Sequence, residues 1–583
     1  MSQQLAEALP PVESTPAGPG ERFPREDITA PERIRSLLAV VAALGGTGLL
    51  RRDGRAVRVT LERVALGAGA LHWRTVPGEG WGPPPHEVEL VGYCSVLHLR
   101  LDGGARDGER YVTPLPERLE RVRHRHHQRF PAPPATLLQL PLPGWLGRER
   151  EVVDVSFGGL AVRLRPGEQF EPGRVFQPVM LAGAGGERLF LRAEVRHVST
   201  GLDGATVCGL RVEPLSGRDA ERWWSLVSRS ACPPVCTDGA RVEELWRLFI
   251  DSGYFNLAGR SAEWFEEQRA HFVDLGRRAA HLPHLLSEGV WCSERGVEAS
   301  LSAMKPYRSL WLIHQLAKRQ GGSRAERVPG QMLRDLYVRM VEHARGDPGF
   351  RWLGAYIETT VPYIHRAHVG FARRMAGGDG VLLLPLRMID VHCHELSGRG
   401  AEGLDIGPAT ASERALLAKE IARTRPASYV EALDFGPEVL ELEEGSRPWR
   451  DAGLERERHL LVARREGTPL AAAVLELGQR GTNPFRLLDA VRLFRLDPEG
   501  GAAYVALLDE ARRWYAHRGR ESFVFMREDG DGSYAEAARL HEDSAGAEPC
   551  IWLIHADLVP EFLEHVHEQT VGRLPHTHEK ESS

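Results

Sequence analysis

The hydrophobic pattern changes character partway along the chain. After residue 31 one apolar helical stretch is followed by short segments suited to strands, at 56–61, 70–74, 87–91 and 95–101. Gly, Pro and Asp turns separate them. This spacing predicts a small β-barrel over 28–118. The style repeats over 119–232, with apolar or alternating segments at 137–140, 151–155, 160–164, 189–198 and 207–212. A helix closes that region, with Trp223, Trp224 and Val227 on its apolar side. Two prolines near residue 233 then mark a linker.

Beyond residue 238 helices alternate with strands, and the pattern repeats. A hairpin turn at 294–296 has its counterpart at 466–467, an offset of 171. The same offset carries the helical face Leu333, Leu336, Tyr337 and Met340 onto Tyr504, Leu507, Leu508 and Ala511. It also carries the strand segments 352–357 and 381–386 onto 523–528 and 552–557, and the opening helix 242–250 onto 413–421. One register aligning five elements predicts two copies of an α/β domain, at 238–390 and 405–560.

Composition adds limits. The chain has 583 residues, length for about four domains. Apolar residues are 42% and charged residues 26%, as in soluble globular proteins. A formal net charge of −6 gives no global attraction to a nucleic acid polymer or a membrane surface. Seven irregularly spaced cysteines suit a reducing compartment, so a cytoplasmic location is expected. Cys232 and Cys236 form a lone C-x3-C, and a zinc site needs four ligands. Residues 1–27 are rich in Pro, Gly and Glu and read as a flexible tail rather than a signal peptide. The longest apolar stretch, 37–50, is too short to cross a bilayer and contains Gly45, Gly46 and Gly48. Residues 561–583 read as a polar tail with solvated His565, His567, His576 and His578.

Chemistry concentrates at the junction of the first two regions. Residues 118–129 hold five arginines, three histidines and one acidic residue, and Arg125 and Arg129 make Arg-x-x-x-Arg. Asp154, Ser156 and Gly159 follow as Asp-x-Ser-x-x-Gly between two strands. The two motifs in this order, in an all-β context, resemble the PilZ domain, a receptor for cyclic di-GMP. The resemblance covers about 119–230 and implies a ligand with two phosphodiester anions and two guanines. A guanidinium fork matches a phosphate or the N7/O6 edge of guanine. The resemblance therefore implies that Arg125 and Arg129 clamp the ligand. Asp154 would accept from guanine N1 and N2, Ser156 would hydrogen-bond, and Gly159 would allow close backbone approach. The family often has another arginine before the first motif arginine, where this chain has His124. The region 28–118 has the position and size of the N-terminal domain of flagellar-brake-type PilZ proteins.

The element order of the two repeats resembles the GNAT acyltransferase fold. That resemblance implies an acyl-CoA pyrophosphate on backbone amides at a helix N-terminus. In the first copy Arg327 and Gly330 stand in the matching loop, with Met332 replacing its final small residue. In the second copy Gly500, Gly501 and Ala502 match, but Asp497 and Glu499 would repel a pyrophosphate. Tyr363 and His365 are candidates for acid–base work by position, and no residue is assigned to catalysis. The His392-x-His394 pair resembles the metal motif of PHP and amidohydrolase enzymes, but no later His pair completes such a site.

The fold class expected is thus multidomain: a split barrel, a PilZ barrel and two GNAT-like α/β domains. The function expected is a cyclic di-GMP effector with an unknown protein partner, requiring no cofactor. A cyclic di-GMP-regulated acyltransferase and a non-catalytic adaptor are the alternatives.

Overall fold

The first helix, α1 (Pro31–Ala43), ends where the glycines begin, and the chain turns at once into sheet. The computed structural model describes residues 25–571, apart from 44–45, 53–54, 66–68, 76–80, 93–94, 108–109, 124–126, 143–148, 184–187, 201–204, 238, 259–261, 321–329, 376–379, 399–401, 529–533 and 541–547. The chain divides into two units. One joins 1–233 to 326–342 and 560–583; the other joins 234–325 to 343–559.

The first unit opens with β1 (Arg25–Ile28), β2 (Thr47–Arg52), β3 (Arg55–Ala65), β4 (Ala70–Thr75), β5 (His86–Val91), β6 (Ser95–Leu101), β7 (Ala105–Asp107), β8 (Arg110–Pro114) and β9 (Leu119–Arg123). They form one antiparallel sheet in the order β1-β9-β6-β5-β2-β3-β4-β8-β7. Residues 25–27, expected as tail, belong to its edge strand. Among the described residues no pairing joins the two edges, so the small barrel expected over 28–118 is an open sheet here. Leu38 of α1 packs with Leu61, Trp73 and Leu90 of the sheet, all fully buried.

Next come β10 (Phe130–Pro131), β11 (Leu137–Gln139), β12 (Glu149–Ser156), β13 (Gly159–Arg163), β14 (Val175–Ala182), β15 (Arg188–Thr200) and β16 (Thr206–Pro214). A pairing of β12 with β13 closes β12-β11-β14-β15-β16-β13 into a six-stranded barrel. The sequence pattern missed β14 because Pro178 interrupts it, and proline removes a ladder donor. The register shift between Phe176 and Val179 absorbs that proline. Helix α2 (Gly217–Ala231) starts at Ser216, whose hydroxyl accepts from the Asp219 amide. It buries Trp223, Trp224 and Val227, as its apolar face predicts.

The second unit holds β17 (Val235–Cys236), α3 (Val242–Asp251), α4 (Ala262–Ala279), β18 (Leu286–Ser293), β19 (Gly296–Met304) and β20 (Leu310–Lys318). Helix α5 (Gln331–Arg345) then leads to β21 (Trp352–Glu358), β22 (Val381–Pro385) and β23 (Arg387–His392). The second repeat runs through β24 (Asp405–Pro408), α6 (Ala411–Thr424), β25 (Arg456–Arg465), β26 (Thr468–Gly478), β27 (Ala490–Arg495), α7 (Tyr504–His517), β28 (Ser522–Arg527) and β29 (Pro549–His555). Both predicted hairpins form, β18–β19 and β25–β26. Each repeat has one parallel pair, β20–β21 and β27–β28, whose registered contact is short.

The repeats are not separate domains, because they exchange strands. β29 from the second repeat pairs with β21 and β22 of the first. β23 from the first pairs with β28 of the second. One apolar core accordingly mixes both repeats, with Tyr307 and Trp352 beside Leu417, Trp449, Val474 and Leu553.

Helix α8 (Val559–Val571) follows β29. Most of α5 and nearly all of α8 belong to the first unit rather than to their own repeats. The polar tail expected from residue 561 is therefore helical up to Val571, and His565 and His567 are buried rather than solvated. No helix among the described residues is long and apolar enough to cross a membrane.

Candidate functional site

The two motifs of the barrel meet through strand register. β10, immediately after Arg129, pairs antiparallel with β12, Phe130 against Val155 and Pro131 against Asp154. That pairing carries Arg129 to the end of β12, where Asp154 and Ser156 stand. Arg129 Nη1 donates to Asp154 Oδ2 at 3.5 Å, the one hydrogen bond of this guanidinium among the described residues. Asp154 is buried while Arg129 keeps about a quarter of its surface, with the side chain 23% exposed. A cation about a quarter exposed, against a buried carboxylate, leaves donors for a further anion.

The β12–β13 turn completes the site. Ser156 pairs with Gly159, and its hydroxyl donates to the Gly159 carbonyl at 3.2 Å. Gly159 packs so closely on β16 that a Cβ would lie 2.2 Å from the Leu210 carbonyl oxygen. Trp223 of α2 donates to the Phe157 carbonyl at 3.4 Å and holds the turn from below. His127 reaches it from the lead-in, its ring 6.0 Å from that of Phe157. The structure thus brings together Arg129, Asp154, Ser156 and Gly159. Arg125 and His124 lie outside the described residues.

The second pair of expected site residues has different surroundings. Arg327 lies outside the described residues. Gly330, just before α5, abuts Thr570 of α8. A Cβ there would lie 2.7 Å from the Thr570 Cβ and 2.9 Å from its carbonyl oxygen. Gly330 itself therefore faces Thr570 rather than open space. The matching turn of the second repeat is also closed. Gly500 packs on the Leu470 carbonyl, the Glu499 amide donates to Asp497, and Glu499 pairs with Arg465. The described part of the second turn offers an acyl-CoA pyrophosphate no open backbone cradle, whereas residues 327–329 of the first lie outside the described residues.

The other candidates are dispersed. His392 Nε2 lies 3.8 Å from Asp390 Oδ2. Among the described residues no group of three or more potential ligands could hold a metal. Burial pushes the Tyr363 phenol up, although Arg366 opposes this, so it is a poor base. His365 Nδ1 lies 3.2 Å from the Thr359 carbonyl.

Sequence reasoning missed a buried polar cluster of the second unit. Glu476 is buried between Arg456 at 2.6 Å and Arg458 at 2.7 Å, and Tyr307 donates to it at 2.9 Å. Burial opposes its ionisation, but Arg458, Arg456 and Arg492 outweigh that and hold its carboxyl well below the usual range. Arg492 on β27 also donates to Glu528, just past β28, at 3.1 Å. The short registered pairing of these two parallel strands is thereby continued by an ion pair. The available signal was charge at inward-facing strand positions 456, 458, 476 and 492.

Comparison with known proteins places this geometry. Residues 123–228 match the family model "PilZ domain" and form a PilZ domain. No curated protein matches the chain. Among solved structures, MrkH of K. pneumonia in complex with c-di-GMP is 15% identical, with a TM-score of 0.31, covering 35% of this chain and 96% of its own. YcgR from Escherichia coli in complex with c-di-GMP is 14% identical, with a TM-score of 0.28, covering 34% and 90%. A tandem GNAT protein from the clavulanic acid biosynthesis pathway is 14% identical, with a TM-score of 0.27, covering 46% and 83%.

Proposed function

We propose, from the PilZ domain at residues 123–228, that the chain is a cyclic di-GMP effector. In this reading the second unit is a GNAT-like output without acyl-transfer chemistry of its own. The observation that carries the reading is the register of β10 on β12, which sets Arg129 beside Asp154 at the Ser156–Gly159 turn. Arg125 and Arg129 take the phosphodiesters and the N7/O6 edge of guanine as charge-assisted bidentate pairs. Asp154, already buried, accepts from guanine N1 and N2. Gly159 keeps the turn low enough for a purine to lie over it.

The GNAT-like part rests on element order and on one parallel strand pair in each repeat. The closed turn at Gly500 and the packing of Gly330 on Thr570 support an output that works through shape rather than acyl transfer.

Competition against labelled cyclic di-GMP tests the ligand. Unlabelled cyclic di-GMP should displace the label, while cyclic di-AMP, which lacks the O6 acceptor and the N1 and N2 donors, should not. Equal displacement by cyclic di-AMP would remove the guanine-reading role from Asp154 and the arginines. Saturable acetyl-CoA binding would overturn the non-catalytic output.

A further inference from the structure

A cavity of about 400 Å³ opens in the second unit, where α4 meets the loop between β26 and β27 and the residues leading into β28. Asp489 and Glu521 of its wall directly precede β27 and β28, the parallel pair of the second repeat. The turn at Gly500 follows β27, so the cavity lies at the opposite end of that pair.

The wall is held in place from several sides. Gly481, at φ +86°, lies so close to α4 that a Cβ would come within 2.2 Å of the His271 carbonyl oxygen. Any side chain there would force the loop off the helix. Strand β20 pins the same loop from the first repeat. Gln315 Nε2 donates to the Thr482 carbonyl at 3.2 Å, and Asn483 Nδ2 donates to His314 Nδ1 at 3.1 Å. Asp489 accepts from the Gly478 amide at 2.9 Å and from Arg520 at 3.1 Å.

Arg520 and Asp489 offset each other within the wall, and charge of both signs remains around the opening. Arg480 donates to the Gly519 carbonyl and has no carboxylate partner among the described residues, which leaves donors to spare. Arg486 stands beside it, donating to the Ser522 hydroxyl. Glu267 of α4 and Glu521 are exposed, and neither has an ion-pair partner among the described residues. A simple anion would meet both carboxylates, and a simple cation would meet both arginines. A dipolar molecule satisfies the two signs together. The volume is at the low end for small-molecule sites, room for one amino acid rather than a polymer. Gln268 and His271, on the same wall of α4, add polar contacts for its side chain.

We propose that this cavity binds a free polar α-amino acid, its carboxylate on Arg480 and Arg486 and its ammonium on Glu267 and Glu521. The site would be a second input to the chain, and it does not rest on the cyclic di-GMP reading.

Calorimetry of the full chain with each standard α-amino acid in turn, at millimolar concentration, tests this. At least one with a polar side chain should bind saturably. Arg480→Ala and Glu267→Gln should each weaken it by about 10-fold or more, the loss of one hydrogen bond to a charged group. The N-acetyl and the carboxamide derivatives of that amino acid, which each lack one charge, should lose a similar factor. Both side chains lie outside the apolar cores, so the variants should keep the wild-type urea midpoint. Absence of binding by every amino acid would overturn the proposal. So would affinity unaltered in both variants, or derivatives that bind as well as the parent. Tighter binding of inorganic phosphate than of any amino acid would make this an anion site and overturn it equally.

Discussion

Gly159 shows how much one residue fixes. Its Cα lies where any Cβ would meet the Leu210 carbonyl at 2.2 Å, and a backbone atom cannot swing away. Gly159→Ala should therefore destabilise the barrel by about 1–3 kcal/mol, as overpacking does, visible as a lower urea midpoint. Arg129 is the opposite case, peripheral to packing but, in the proposed function, a ligand contact. Arg129→Ala should weaken cyclic di-GMP by about 30-fold or more, the loss of one charge-assisted contact, with the urea midpoint nearly unmoved. These positions were legible in the sequence because a tight turn and a cation beside it report local chemistry. Glu476 was not. Its three arginines come from positions 456, 458 and 492, and only folding brings them round one carboxylate. Glu476→Ala leaves those cations uncompensated and should cost about 3–5 kcal/mol, measured by chemical unfolding.

At the scale of elements, periodicity identified most strands and helices but not their partners. The offset of 171 predicted two matching domains, and nothing in a period distinguishes pairing within a repeat from pairing across repeats. β23 and β29 cross over, and Ile389 and Val391 fill the core of the second repeat while Ile551 and Leu553 fill the shared one. The missed helix α8 had a signal: Val559, Phe562, Leu563 and Val566 recur at helical spacing, and all four are fully buried. The neighbouring histidines drew attention to polarity instead. Helix α6 shows local chemistry that is legible. Thr410 accepts from the Glu413 amide, and the Glu413 side chain accepts from the Thr410 amide at 2.7 Å. Thr410→Ala should cost about 1 kcal/mol, again read from the urea midpoint.

Across the whole molecule, buried ionisable groups set opposing pH slopes. Burial lowers His314 and His567 from 6.5 to about 3, so both stay neutral in the fold while the unfolded chain takes up protons. Their stabilisation is complete above pH 6.5 and falls as pH drops below it. Burial raises Glu288 from 4.5 to about 8, so the fold keeps a proton that the unfolded chain releases. That stabilisation is complete below pH 4.5 and lost as pH rises towards 8. Two histidines outweigh one carboxyl between these limits, and Glu288 acts alone above them. Stability should therefore peak near pH 6.5. Urea midpoints from pH 5 to 8 test this: Glu288→Gln should flatten the alkaline decline, whereas a steady rise to pH 8 in the wild type would refute it.

The central claim, that the PilZ domain reads cyclic di-GMP through its paired arginines, is tested most directly by calorimetric titration of the full chain. The wild type should bind at micromolar affinity or tighter, about −8 kcal/mol or more favourable. Arg125→Ala and Arg129→Ala should each abolish most of that heat while remaining folded. No binding by the folded wild type, or binding unaltered in both variants, would contradict the account.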